Sequence, residues 1–135
     1  HHMKEHSLVL IKPDGVEKKV VGKIISIYEE NGLEIADMRL VRPTREIAEK
    51  HYEEHVGREY FPRLIECIIS GPVIALVLEG EDAIAKVRKL NGATNPDNAE
   101  EGTIRKLYAT NGTINTVHAS DSVENANREI SIWFN

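Results

Sequence analysis

The order of apolar patterns along the chain predicts an α+β fold, a βαββαβ sandwich with a four-stranded antiparallel sheet, extra helices and a long loop before the last strand. Three observations carry this expectation. Strand-like runs and helix-period segments succeed one another from residue 7 to residue 130. Val73-Ile74-Ala75-Leu76-Val77-Leu78 is continuously apolar, as a central strand covered on both faces requires. Residues 91 to about 116 are rich in Asn, Gly and Thr and lack periodicity; a loop of that length in a compact domain is usually functional.

Taken in order, Ser7-Leu8-Val9-Leu10-Ile11 reads as a buried strand ending in a turn, Lys12-Pro13-Asp14-Gly15. Val20, Val21, Ile24, Ile25 and Tyr28 recur at helical spacing over 18–30, and Asn31-Gly32 stops that helix. A second strand spans 34–42, where Ala36, Met38 and Leu40 alternate with Asp37 and Arg39. Thr44 can cap a polar helix over 45–54. A further helix from about 61 to 69 buries Phe61, Leu64, Ile65 and Ile68, and Gly71-Pro72 breaks the chain before the apolar strand. Asp82 can cap a helix whose apolar face is Ile84, Val87 and Leu90. After the long loop come a short strand around Thr116-Val117-His118 and a last helix from Ser122 through Ile130. The apolar tail Ile132-Trp133-Phe134 is expected to pack on the core or on a neighbouring subunit. With the extra helices set aside, this is the ferredoxin-like plan.

Residues 3–135 are expected to form a single domain, and residues 1–2 read as a tag remnant, with Met3 the natural start. The 41% apolar and 29% charged composition is globular, and no apolar run approaches the length of a membrane span. The net charge of −5 disfavours nucleic acid as the principal partner, because a polyanion rewards a basic surface. Any phosphate site must therefore be a local gathering of cations. Cys67 is the single cysteine, so no disulfide forms within the chain, and its apolar surroundings predict a buried structural thiol.

His118 is the most informative residue. It ends a strand just before Ala119-Ser120-Asp121-Ser122 and a helix start, where free backbone N–H groups favour anions. One ring nitrogen can attack while a partner holds the other; taken alone, it reads more readily as a histidine bonding a turn. Glu129 on the following helix is a candidate partner for the imidazole or for Ser120, and otherwise a solvated surface carboxylate. Lys12, Arg88 and Arg105 come from three separate segments, and only their convergence would make a phosphate site. Gly92-Ala93-Thr94-Asn95-Pro96 offers a hydroxyl and backbone amides but lacks the spacing of a P-loop. His51 and His55 stand four apart on a helix, yet Tyr52 occupies the place where a zincin motif needs Glu.

Five segments together resemble the nucleoside diphosphate kinase family: Leu10-Ile11-Lys12-Pro13-Asp14-Gly15; Ser70-Gly71-Pro72-Val73; Val87-Arg88-Lys89-Leu90 with Gly92-Ala93-Thr94-Asn95-Pro96; Gly102-Thr103-Ile104-Arg105; and Asn115 with His118-Ala119-Ser120-Asp121-Ser122. The match is collinear over roughly residues 4 to 134. The resemblance implies a cytoplasmic phosphotransferase that moves the γ-phosphoryl of a nucleoside triphosphate to a nucleoside diphosphate by a ping-pong route through phosphorylated His118. It implies Mg2+ held through the nucleotide phosphates rather than directly by protein side chains, and a homo-oligomer, tetramer or hexamer. By the same resemblance Lys12 binds the transferring phosphate and the ribose, Asn115 holds the ribose, and Tyr52 organises His118. Arg88, Thr94 and Arg105 hold the remaining phosphates, while Ser120 and Glu129 support the histidine. Tyr60 stands where the family usually has Phe, stacking on the base. The sequence departs from the family pattern at Ala119, usually Gly, at Gly112, commonly an aliphatic base contact, and at Ile114, often basic. A nucleotide-binding module without turnover is the alternative reading, and retention of His118, Lys12 and Arg105 weighs against it.

Overall fold

The computed structural model describes residues 4–135, so the expected tag remnant and Met3 lie outside the described residues. The elements run β1 (Lys4–Ile11), α1 (Pro13–Glu17), α2 (Val21–Glu30), β2 (Glu34–Val41), α3 (Arg45–His51), α4 (Phe61–Ile68), β3 (Val73–Glu81), α5 (Ala83–Asn91), α6 (Ile104–Tyr108), β4 (Val117–Ala119) and α7 (Val123–Trp133). The strands form one sheet in the order β2-β3-β1-β4, with every neighbouring pair antiparallel. The expected βαββαβ plan is therefore present in β1, α2, β2, β3, α5 and β4, with α1, α3, α4, α6 and α7 as additions.

Strand alternation divides the core into two layers. Val9 and Ile11 of β1, with Leu76 and Leu78 of β3, pack under Ile24 and Tyr28 of α2 and Val87 of α5. Leu8 and Leu10, with Val73 and Ala75, face Ala48 of α3, Ile65 and Ile68 of α4, and Trp133 of α7. β3 is buried on both faces, as its unbroken apolar run requires. On β4, Val117 and Ala119 point into the first layer. His118 between them points into the second, opposite Leu10 in the register. Parity alone thus aims His118 at the α3 and α7 side.

Several expectations are corrected. Lys12–Gly15 is not a free turn: Pro13 opens α1, where its fixed φ and missing N–H suit a first helical turn. The helix expected over 18–30 starts only at Val21, since Lys19 takes a left-handed φ of 61°. Met38 and Leu40 are 53% and 62% exposed; β2 is a sheet edge, and a bulge between Ile35 and Asp37 shifts its register. Asp82 occupies the N-cap of α5 without a side-chain cap bond; Glu5 Oε1 accepts from the Ile84 N–H instead. Cys67 is partly exposed rather than buried, because Ile65 and Ile68 take the inward face of α4. The long loop contains α6 and a 3-10 turn at Pro96–Asn98; Thr103 caps α6 by accepting from the Lys106 N–H. The tail completes α7, and Trp133 packs on this chain's own core.

Candidate functional site

Stretches of chain distant in sequence meet at one cleft of about 700 Å³. Its lining includes Lys12 from the end of β1, His51, Tyr52, His55 and Tyr60 from α3 and the connection after it, and Arg88 from the last turn of α5. Thr94, Arg105, Asn115 and His118 line it too. The cations that the sequence scatters over three segments thus open on one cavity with the histidine, whose side chain is 21% exposed. Ser120 stands behind that wall, fully buried.

The histidine is held from behind. His118 Nε2 lies 3.0 Å from Glu129 Oε1, and the Ser120 hydroxyl donates to the same oxygen at 2.7 Å. Glu129 is buried on the inner face of α7. A carboxylate only accepts, so Nε2 carries the hydrogen and the other nitrogen, Nδ1, keeps its lone pair. Arg128 Nη2, 3.8 Å from Glu129 Oε2, adds positive charge at the second oxygen.

Lys12 is only 7% exposed, and its Nζ donates to Asn115 Oδ1 at 2.7 Å. Burial first, then the neighbouring Arg105 charge, lower its pKa from 10.5 to about 8. Asn115 is followed by Thr116, a β-branched residue at φ 72°. That strained conformation is fixed from two sides: the Thr116 hydroxyl donates to Asp14 Oδ2 at 2.9 Å, and its carbonyl accepts from the Lys12 N–H at 2.8 Å. β1 and the segment before β4 are thereby stitched together at the point where Lys12 and Asn115 meet.

Arg105 is divided between fold and cavity. Its Nε, Nη1 and Nη2 donate to the carbonyls of Asn115 (3.3 Å), Gly92 (2.8 Å) and Val117 (2.7 Å). A guanidinium has five N–H groups, so two are left for a ligand. Gly92 is required here: its φ is 85°, and a Cβ would lie 2.6 Å from Thr103 Oγ1. Tyr52 is buried, and its phenol is pushed well above the usual range, first by desolvation and then by Cys67 and Glu129. It remains a neutral donor.

Sequence reasoning passed over His51, which it treated only as half of a zinc decoy. The ring lies edge-on to His118, 4.4 Å between centroids, and edge-on to Trp133 at 5.6 Å. Donor atoms of His51, His118 and Glu129 lie within 4.8 Å of one another, yet they do not suit a metal ion. Trp133 Nε1 donates to His51 Nδ1 at 3.0 Å, so the hydrogen of the neutral ring sits on Nε2, and ligation would break the tryptophan bond. Burial, then the His118 charge, keep His51 neutral by lowering its pKa well below the usual value. Arg128 was also missed: its guanidinium reaches the Lys50 and His51 carbonyls at the end of α3. No periodicity or motif in one sequence marks either residue.

A sequence profile of the family described as nucleoside diphosphate kinase matches residues 5–135. The chain belongs to the nucleoside diphosphate kinase family. A nucleoside diphosphate kinase from Clostridium perfringens is 57% identical over 130 residues, which cover 96% of this chain and 91% of that one. One from Methanocaldococcus jannaschii is 51% identical, covering 98% and 94%. The crystal structure of the Aquifex aeolicus nucleoside diphosphate kinase superposes with a TM-score of 0.96 at 40% identity, covering 98% of this chain and 96% of that one. The chain is therefore a nucleoside diphosphate kinase in activity, a phosphotransferase acting between nucleotides, on the α+β fold of that family. Among the described residues no helix is long and apolar enough to cross a membrane.

Proposed function

We propose that the phosphoryl group travels through His118 Nδ1. The observation that carries this reading is the Nε2–Glu129 contact of 3.0 Å in a cleft shared with Lys12, Arg88 and Arg105, because it leaves Nδ1 as the nucleophilic lone pair. In the first half-reaction Nδ1 forms a bond to the γ-phosphorus. The bond from that phosphorus to the β–γ bridging oxygen breaks, and the diphosphate leaves with the electron pair. In the second, a terminal oxygen of another nucleoside diphosphate attacks the same phosphorus and the pair returns to Nδ1. The phosphorylated ring is cationic while Nε2 keeps its proton, and the Glu129 carboxylate offsets that charge. Transfer in two steps avoids bringing two polyanionic nucleotides into direct reaction.

The remaining residues act by placement and charge. Lys12 and the free donors of Arg105 hold the transferring phosphoryl and its neighbours, with Arg88 and Thr94 on the other phosphates. Tyr52 donates beside His118, and Ser120 fixes Glu129. Asn115 holds the ribose and Tyr60 stacks on the base, a contact to a flat face that tolerates different bases. Mg2+ is the expected divalent ion. It would be held through the nucleotide phosphates and would offset part of their charge, with the Glu54 and Asp121 carboxylates that line the cleft suited to its hydration shell rather than to direct ligation. The single sheet shared by both core layers supports reading the chain as one domain. Exposed Met38 and Leu40 on the β2 edge support a homo-oligomer, tetramer or hexamer, which sedimentation at micromolar concentration distinguishes. We further take the enzyme as cytoplasmic, with nucleic acid not its principal partner.

The test is labelling with γ-phosphate-labelled ATP. The native chain should give an acid-labile, alkali-stable phosphoprotein, and His118→Ala should give none. Equal labelling of that variant would remove the mechanism, and labelling without transfer to a diphosphate would favour a binding module.

A further inference from the structure

Tyr60 is 42% exposed at the open end of the cleft. An exposed aromatic ring with free torsions makes a poor stacking platform, since each ligand must first immobilise it. Here the ring is already tied. The Tyr60 hydroxyl lies 2.8 Å from His55 Nδ1, and the two rings stand edge-to-face at 5.4 Å with 61° between planes. His55 in turn meets buried Tyr52 edge-to-face at 6.0 Å. Tyr52 meets His51 at 4.7 Å, and His51 meets His118 at 4.4 Å. An unbroken row of rings thus runs from the histidine to the mouth of the cleft, and Tyr60 is its last member. The tether needs both partners: a phenylalanine at position 60 would leave His55 Nδ1 without this bond.

We propose that His55 is a positioning residue for base recognition, acting through Tyr60 by fixing its ring before the nucleotide arrives. This rests on the reading of Tyr60 as the base platform. Either protonation state of His55 preserves the bond, since neutral Nδ1 accepts from the phenol and protonated Nδ1 donates to it. The tether affects the base and leaves the phosphates alone, because Lys12, Arg88 and Arg105 belong to other segments.

The experiment compares ADP with inorganic pyrophosphate as ligands of the full chain. His55→Ala should raise the KM for ADP about threefold, the freedom of one aromatic side chain. It should leave kcat and the inhibition constant of pyrophosphate unchanged. Tyr60→Phe should show the same rise, and the double variant no further rise, because the two groups form one bond. His55→Asn, whose Oδ1 falls near the lost Nδ1, should restore the native KM and guards against a misfolded alanine variant. Additive effects of His55→Ala and Tyr60→Phe would overturn the tether, as would equal weakening of ADP and pyrophosphate, or an unchanged KM for ADP. If Tyr60→Ala also leaves the KM for ADP unaltered, the base platform itself has been misplaced; loss of the phosphohistidine reading shows separately, as turnover by His118→Ala.

Discussion

Lys12→Met should make the protein more stable while abolishing its labelling. Lys12 is charged and almost wholly buried, and its pKa falls from 10.5 to about 8. At 1.36 kcal/mol per pH unit that displacement is a penalty of about 3 kcal/mol on the folded state at pH 7. The variant removes the charge and keeps a flexible apolar stem of similar length. It also loses the Nζ–Asn115 bond of 2.7 Å, worth about 1 kcal/mol net. The expected gain is about 2 kcal/mol, or roughly 7 °C in Tm for a chain of this size. The pH dependence provides a second, independent readout. Between about 8 and 10.5 the unfolded chain binds more protons at this residue than the folded one, so native stability rises with pH across that window. The advantage of the variant should be full below pH 8 and vanish near 10.5. Urea unfolding of both proteins at equal protomer concentration, at pH 7 and at steps to 10.5, measures it; holding concentration fixed matters because assembly adds to apparent stability. A variant no more stable than the native protein at pH 7, or a difference indifferent to pH, would refute the claim that this lysine is held charged against its surroundings.

The same group should shape activity: kcat/KM for a nucleoside triphosphate should fall above about pH 8 as free-enzyme Lys12 loses its proton, and a flat profile from pH 7 to 9.5 would exclude Lys12 as the limiting group. Glu129→Gln keeps the shape behind His118 but removes the compensating charge, and should slow single-turnover phosphorylation about tenfold, the difference between a charged and a neutral hydrogen bond; a rate within twofold of native would show the carboxylate to be a structural wedge. Gly92→Ala puts a Cβ 2.6 Å from Thr103 Oγ1 at a positive φ and should destabilise by about 2 kcal/mol, read as a lower urea midpoint, with weaker nucleotide binding as the Gly92 carbonyl leaves Arg105.

The strands and the order of the helices were legible because each rests on periodicity, whereas the gathering of Lys12, His118 and Glu129 was implied only by the family resemblance, since these residues lie far apart in the chain. β3 declared itself by an unbroken apolar run. His118 acquires its direction from strand parity once β4 is placed beside β1. What was not legible depends on contacts between distant segments. Met38 and Leu40 share the period of a half-buried strand, and nothing local reveals that β2 is an edge with a bulge at its start. α6 has five residues, too few to show a helical period, and owes its place to the Thr103 cap and to Ile104 in the core. His51 is set by Trp133, 82 positions away, so a single sequence gives it no distinguishing mark beside the neighbouring His55.

Arg105 divides its hydrogens between three carbonyls and the cleft, and this arrangement constrains how the enzyme can change. Lysine could supply the charge but not the clasp, so a swap that preserves net charge would still let the ends of the long segment drift apart. Affinity for nucleotide and the shape of the loop therefore share one side chain, and neither can be adjusted by mutation there without disturbing the other.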